Sequence, residues 1–206
     1  MTFPDQKFPD IAAYSDAYFD QLKAAAKSVE RTKLAAAAAI LEKAYGQGAT
    51  LYVCGNGGSA AISNHLICDH LKLIRTDTDM LPRVVSLSTN IETITAIAND
   101  ISYDDVFVYQ IESLGQKDDV LMTISSSGDS ENVVRAATWA RDKGLSVVSL
   151  TGFEGGRTAK LADVNIHVGS DNYGVIEDIH QSLMHILAQF IRQKQMAEDL
   201  IQQRKF

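Results

Sequence analysis

The chain has 206 residues, 46% of them hydrophobic, and a formal net charge of −7 at pH 7. That length can bury a full core as one domain, and the acidic balance argues against a general nucleic-acid binder, which needs a basic face. Cys54 and Cys68 are too few for a disulfide framework, and neither a signal peptide nor a transmembrane run is recognised, so we expect a soluble cytoplasmic protein with no membrane partner and with both cysteines buried.

The N-terminal quarter is predicted to form two helices, over 11–27 and 30–45. Both stretches are rich in Ala, Leu, Lys and Glu, which favour helix, and neither carries a cluster of reactive side chains. The second contains five consecutive alanines, and small side chains let helices approach closely. We therefore predict that residues 1–48 serve packing and oligomerisation.

From residue 50 onward, short apolar runs alternate with helical stretches. Strands are predicted at 51–54, 82–87, 119–124, 145–150 and 164–168, and helices at 59–74, 90–98, 103–114, 130–143 and 174–197. This alternation is typical of a parallel sheet covered on both faces. The sequence predicts an α/β fold, a three-layer αβα sandwich with a five-stranded parallel sheet, in which residues 49–206 form one unit. Ligands bind such sheets beyond the carboxyl ends of the strands.

The first predicted strand runs into a glycine-rich loop, Cys54–Ser59, with glycines at 55, 57 and 58. A strand, a glycine-rich turn and a helix together point backbone N–H groups and a helix N-terminus at an anion. Ser59 can act as the N-cap and as a hydroxyl donor to phosphate. The spacing matches neither a Walker A loop nor GxGxxG, so a small phosphorylated ligand is favoured over a nucleotide.

Two reactive side chains follow on the next predicted helix. His65 and Asp69 are four residues apart and therefore share one face, roughly 6 Å apart along the axis. This spacing suits two ligands of one metal ion, or a base and its partner. An ordinary polar pair on a solvated helix is the alternative, but the adjacent glycine loop favours a functional role.

A second candidate loop follows the third predicted strand. It contains four serines: Ser125, Ser126, Ser127 and Ser130. Hydroxyls and N–H groups at a helix N-terminus can hold a phosphate without a cationic side chain. Capping would need only one serine, Ser130, so phosphate binding is the favoured interpretation.

Three other polar stretches are less informative by themselves. The glycine-rich segment 151–157, after the fourth strand, is interpreted as a turn. Asn99 and Asp100 can bind sugar hydroxyls, although a turn is the simpler interpretation. The last helix carries an acid and two histidines among apolar residues: Glu177, His180 and His185. For these three, core packing and function are about equally favoured.

Taken together and in this order, these motifs resemble the sugar isomerase (SIS) domain and, within that superfamily, the phosphoheptose isomerase family. The resemblance covers about 30–195. It implies a homotetramer with active sites at subunit interfaces. It also implies conversion of sedoheptulose 7-phosphate to D-glycero-D-manno-heptose 7-phosphate, which supplies activated heptose for lipopolysaccharide and other bacterial surface polysaccharides.

The resemblance implies a role for each matching residue. Substrate would be bound by Asn56, Gly57, Gly58, Ser59, Asp69, Asn99, Asp100 and Glu177, and its phosphate by Ser125, Ser126, Ser127 and Ser130. Zn²⁺ would be bound by His65, Asp69, Glu177 and His185. In the implied enediol mechanism, Asp69 moves a proton between neighbouring carbons and His185 moves protons at the oxygens, a role that competes with metal binding.

Two positions depart from the family pattern. Asp69 replaces a usual glutamate, and the missing methylene shifts the base by about 1 Å. Glu177 aligns with a glutamine ligand and adds a negative charge, which would strengthen a hard-cation site or, without a metal, raise the pKa of a neighbouring carboxylate. Glu177 and His185 lie eight residues apart, about 12 Å along a continuous helix. Either the helix begins after Glu177 or, as we expect, the two ligands come from different subunits.

Two other functions are compatible with the motifs. A related non-catalytic branch of the superfamily binds the bacterial replication initiator, and it lacks the carboxylate at the position of Asp69. Retention of His65, Asp69 and His185 therefore favours catalysis. An isomerase or sensor of a hexose or pentose phosphate is the other alternative, because the phosphate loop would serve any of these sugars.

Overall fold

The sheet is the centre of the fold. The protein is described here by a computed structural model, which covers residues 2–206. Within these residues five parallel strands form one sheet in the order β2-β1-β3-β4-β5. The strands are β1 Thr50–Cys54, β2 Arg83–Ser86, β3 Val120–Ser125, β4 Ser146–Thr151 and β5 Val164–His167. The predicted fold class is confirmed, and each strand lies within one residue of its predicted bounds.

Helices cover both faces of the sheet. They are α1 Ile11–Ser28, α2 Arg31–Gly46, α3 Gly57–Ile67, α4 Ile91–Asp100, α5 Val108–Leu114, α6 Glu131–Asp142, α7 Gly156–Leu161, α8 Tyr173–Gln195 and α9 Glu198–Ile201. The predicted helix 103–114 is wrong in part, because a 3₁₀ turn, Tyr103–Asp105, precedes α5. The predicted helix 59–74 is continuous, but its second half, Cys68–Leu73, is a π-helical turn.

Side chains of each strand alternate between two hydrophobic cores. Leu51 and Val53 of β1 pack with buried residues of α2, α3 and α8. Tyr52 and Cys54 face the other way and pack with residues of α4, α5 and α6. The prediction that both cysteines are buried is wrong for Cys68, which is exposed, because the π-helical turn directs Asp69 and His70 inward instead.

The N-terminal helices pack on the same face of the sheet as α8. The Tyr18 hydroxyl donates to the Asp178 carboxylate at 2.6 Å, and Ser28 Oγ accepts from the Gly169 N–H at 2.8 Å. These contacts join α1 to α8 and to the segment that precedes it. In the described part of the chain, every helix is too short or too polar to cross a bilayer.

Candidate active site

A small polar cavity lies where the strand order reverses, between the carboxyl ends of β1 and β3. Its volume is about 130 Å³, and this switch point is where open α/β sheets bind ligands. The lining residues are Asn56, Ser59, Ile124, Ser125, Ser126, Ser127, Ser130, Tyr173 and Glu177. The fold therefore brings seven of the predicted substrate-binding side chains together: Asn56, Ser59, Glu177 and the four serines.

The glycine loop brings the N-terminus of α3 to this cavity. Asn56 is the N-cap residue and α3 begins at Gly57, so the predicted N-cap role of Ser59 is wrong: Ser59 lies inside the first turn. A Cβ at Gly58 would overlap the Glu177 carboxylate. A side chain at position 58 would therefore require the Glu177 carboxylate to move away from the loop.

The side chain of Asn56 is held by two neighbours. Its amide nitrogen donates to Asn132 Oδ1 at 2.9 Å, and its Oδ1 accepts from the Asn132 amide at 3.0 Å and from the Tyr103 hydroxyl at 2.9 Å. Asn132 is buried at the start of α6. This network links the loops after β1 and β3 across the cavity.

The serine loop presents hydroxyls that are not used by the protein itself. Ser126 Oγ is buried and has no hydrogen-bond partner among the described residues. Ser130 is the N-cap residue of α6, yet within residues 2–206 its side chain makes no capping bond. A buried polar atom without a partner is costly, whereas a phosphate oxygen at this helix N-terminus would satisfy both hydroxyls.

The segment 151–157 supports the serine loop. Gly128 has φ +62°, and a Cβ there would overlap the Gly155 carbonyl. The Thr158 N–H donates to the Gly128 carbonyl at 2.9 Å. The interpretation of 151–157 as a turn only is incomplete, because α7 begins at Gly156 and buttresses the loop from outside.

A second group of polar side chains forms a compact cluster of two histidines and a carboxylate. Asp69 Oδ2 lies 2.6 Å from His185 Nδ1, and Asp69 Oδ1 lies 3.5 Å from His65 Nε2. One ligand atom from each residue falls within 4.8 Å of the others. Two imidazoles and a carboxylate are a ligand set that zinc prefers, so these residues fit the predicted metal.

The π-helical turn sets the position of Asp69. The Ile74 N–H donates to the Asp69 carbonyl five residues earlier, at 3.1 Å. Such turns are rare and occur frequently at functional sites. Here the turn buries Asp69 beside α8, where its carboxylate meets His185.

Glu177 lies apart from the histidine cluster within one chain. Because α8 begins at Tyr173, the possibility that the helix starts after Glu177 is wrong, and Glu177 and His185 are two turns apart. Glu177 instead lines the serine cavity. Burial raises the pKa of its carboxyl, and the neighbouring Asp178 carboxylate adds to the increase.

Asn99 and Asp100 do not reach the cavity within one chain. They end α4 on the surface, where the Asn99 amide donates to the Asp100 carboxylate at 2.7 Å. His180 is a core residue: it is fully buried, it contacts the Thr151 carbonyl at 3.3 Å, and burial lowers its pKa to about 4.

Two residues near the site, Gln181 and Tyr103, are not among the predicted site residues. Gln181 contacts both histidines of the cluster, at 3.2 Å from His65 Nδ1 and 2.9 Å from His185 Nε2. Its position one helical turn before His185 places the two side chains on the same face of α8, so the sequence could have indicated this contact. The sequence contains no signal for Tyr103, whose hydroxyl donates to Asn56, because the two residues are 47 positions apart and meet only in the folded chain.

Comparison with known proteins gives consistent matches. A family model described as "SIS domain" matches residues 15–152. A phosphoheptose isomerase of Helicobacter pylori (strain P12) is 37% identical over 175 residues, which cover 85% of this chain and 90% of that protein. A phosphoheptose isomerase of Colwellia psychrerythraea is 43% identical over 141 residues, covering 67% of this chain and 71% of that protein.

Solved structures show the same relationship. The structure of phosphoheptose isomerase GmhA from Neisseria gonorrhoeae has a TM-score of 0.79 and 30% identity, covering 88% of this chain and 96% of that chain. A phosphoheptose isomerase from Francisella tularensis has a TM-score of 0.81 and 30% identity, covering 89% and 96%.

Proposed function

The chain belongs to the phosphoheptose isomerase family of SIS domain proteins, and from this premise we propose that it converts sedoheptulose 7-phosphate to D-glycero-D-manno-heptose 7-phosphate. The observation that carries the proposal is the pairing of Asp69 with His185 at 2.6 Å, in a chain that also has a hydroxyl-lined cavity for a phosphate. A base with an oriented partner is what an aldose–ketose isomerisation requires.

The phosphate of the substrate binds in the serine cavity. The hydroxyls of Ser126 and Ser130 and the N-terminus of α6 hold its oxygens, while Ser125 and Ser127 shape the loop by accepting the N–H groups of Gly128 and Asp129 at 3.1 and 3.3 Å. Burial raises the pKa of the Glu177 carboxyl, which lines the same cavity.

The isomerisation needs one proton to move between carbons and others to move between oxygens. Asp69 removes the proton from carbon 1 of the ketose, which gives an enediol, and returns a proton to carbon 2. His185 gives a proton to the carbonyl oxygen at carbon 2 and accepts one from the hydroxyl at carbon 1. The Asp69 carboxylate orients His185 for this second role.

A zinc ion would be held by His65, Asp69 and His185, whose ligand atoms already lie close together. When bound, it supplies Lewis-acid polarisation of the substrate carbonyl. Glu177 joins this set only from a neighbouring subunit, because it lies about 12 Å along α8 from His185 of its own chain.

Assembly as a homotetramer would complete the site. A groove of about 360 Å³ runs between α2 and α8, lined by the alanines of α2 and by Ile186 and Phe190, and both of these side chains are nearly half exposed. A second copy of the chain would cover this apolar strip. The same assembly would carry Asn99 and Asp100 to the site of a neighbouring subunit.

The proposal is tested by following turnover with three sugar phosphates. The expected result is conversion of sedoheptulose 7-phosphate with kcat/KM at least about tenfold above that for fructose 6-phosphate and ribulose 5-phosphate. Preference for the hexose or pentose phosphate would assign another sugar. A correctly folded protein with no turnover of any of the three would refute the isomerase function.

A further inference from the structure

Gln181 connects the two histidines of the cluster on the side away from Asp69. Its amide nitrogen lies 2.9 Å from His185 Nε2 and 3.2 Å from His65 Nδ1. Asp69 contacts the opposite ring nitrogens, His185 Nδ1 at 2.6 Å and His65 Nε2 at 3.5 Å. The four side chains therefore form a closed ring in which each imidazole is held between a carboxylate and an amide.

The chemistry of the four groups fixes where the protons lie. An ionised carboxylate only accepts hydrogen bonds, so His185 Nδ1, which lies 2.6 Å from Asp69, carries a hydrogen. In a neutral imidazole the other nitrogen is then an acceptor. His65 Nε2 lies 3.5 Å from Asp69 and is not hydrogen-bonded to it, so the N–H of Gln181 at His65 Nδ1 sets the tautomer of His65. A primary amide has two N–H groups, one for His185 Nε2 and one for His65 Nδ1, so a single side chain satisfies both rings.

We propose that Gln181 is a positioning residue that fixes the ring orientation of both His65 and His185 and the tautomer of His65. This inference rests on the proposed function of the site, but it concerns a residue outside the ligand set and the phosphate loop. Gln181 acts through the two histidines and does not touch the reacting atoms.

The amide can serve the metal-loaded site as well as the metal-free one. If Zn²⁺ were held by Asp69 and by one ring nitrogen of each histidine, the other nitrogen of each ring would carry the hydrogen. Histidines that bind metals donate this remaining N–H to an oxygen. Gln181 would provide that oxygen after a 180° rotation of its side-chain amide, because a carbonyl oxygen accepts two hydrogen bonds.

The placement of Gln181 also suits this role. It lies one turn before His185 on α8, whereas His65 comes from α3 across the site, 116 residues away in sequence. The two imidazole rings meet edge to face, with centroids 5.0 Å apart. Gln181 and Asp69 are thus the two side chains that contact both the histidine of α3 and the histidine of α8.

The test uses Gln181→Leu, which removes the donor and the acceptor, and Gln181→Glu, which keeps the length and the acceptor. Gln189→Leu is the matched control, because Gln189 lies two turns further along the same helix and is likewise partly buried. The first readout is the ¹⁵N spectrum of histidine-labelled, metal-free protein. The wild type and Gln189→Leu are expected to show one fixed tautomer for His65, and Gln181→Leu an average of the two tautomers for His65, whereas His185 keeps the tautomer that Asp69 sets.

The second readout is Zn²⁺ affinity, measured by competition with a chelator. Gln181→Leu is expected to bind Zn²⁺ about 10–100-fold more weakly, with kcat reduced and KM little changed. Gln181→Glu is expected to bind at least as tightly as wild type, because its carboxylate accepts both ring hydrogens.

Wild-type tautomers and Zn²⁺ affinity in Gln181→Leu would overturn the proposal, and so would equal losses in the Leu and Glu variants, which would indicate a structural tether only. The tautomer result holds even if sedoheptulose 7-phosphate is not the substrate, so the two proposals fail separately.

Discussion

His180 shows how one buried residue contributes a pH-dependent stability. Burial lowers its pKa to about 4, whereas an unfolded histidine titrates near pH 6.5. Below pH 6.5 the unfolded chain therefore binds a proton that the folded chain does not. As the pH falls from about 6.5 towards 4, the free energy of unfolding therefore decreases by about 1.4 kcal/mol per pH unit for one such group.

His180→Leu tests this prediction. Between pH 6.5 and 5, the variant is expected to lose about 1.4 kcal/mol less per pH unit than the wild type, as measured by urea unfolding at several pH values. Parallel pH profiles for the two proteins would contradict the buried, neutral state of His180.

Ser126 allows phosphate binding to be separated from stability. Because its hydroxyl is buried without a partner among the described residues, Ser126→Ala is expected to leave the free energy of unfolding unchanged or higher. The lost hydrogen bond to a charged phosphate should raise KM about 10–100-fold with kcat nearly unchanged. The measurements are steady-state kinetics and urea unfolding.

Ser149→Ala is the matched control for that substitution. The Ser149 hydroxyl pairs with the Thr123 hydroxyl at 2.7 Å inside the sheet, away from the cavity. Its loss should therefore lower stability by about 1–3 kcal/mol and leave KM as in the wild type. The same KM effect in both variants would refute a specific phosphate contact at Ser126.

At the scale of elements, the serine loop packs against the N-terminal end of α7, and a substitution at this contact tests whether the loop depends on it. Gly128→Ala combines a left-handed backbone with an overlap against the Gly155 carbonyl, so it should cost about 1–3 kcal/mol of stability and raise KM. Gly46→Ala is the control, because a Cβ there meets no atom within 4 Å. A Gly128→Ala enzyme with wild-type KM and melting temperature would show that the loop does not need this support.

The strands were predictable because β1 and β3 are largely apolar, and β2, β4 and β5 contain β-branched residues bounded by polar or turn residues. The serine and glycine loops could be placed at one edge of the sheet for the same reason, since parallel strands end on one side. The π-helical turn at Cys68–Leu73 could not be predicted, because nothing local distinguishes it from an α-helix. Likewise, Gln181 and Tyr103 acquire their roles only through contacts made by distant elements.

At the scale of the whole molecule, the separation of Glu177 from His185 along α8 predicts a site shared between subunits. If each site takes Glu177 from one subunit and His185 from another, two inactive variants can complement each other. Mixing Glu177→Ala and His185→Ala, followed by reassembly, should restore about a quarter of the wild-type activity in a symmetric oligomer. Activity no higher than that of the separate variants would place both residues in one subunit's site.

The role of Asp69 as the base that moves the proton between carbons is the central claim, and isomerisation of sedoheptulose 7-phosphate in D₂O tests it most directly. The wild-type enzyme is expected to place solvent deuterium on carbon 2 of the aldose product. Asp69→Asn, with an unchanged melting temperature, is expected to lose both turnover and deuterium incorporation by about 10²–10⁴-fold. Turnover of Asp69→Asn within tenfold of the wild type would contradict the account.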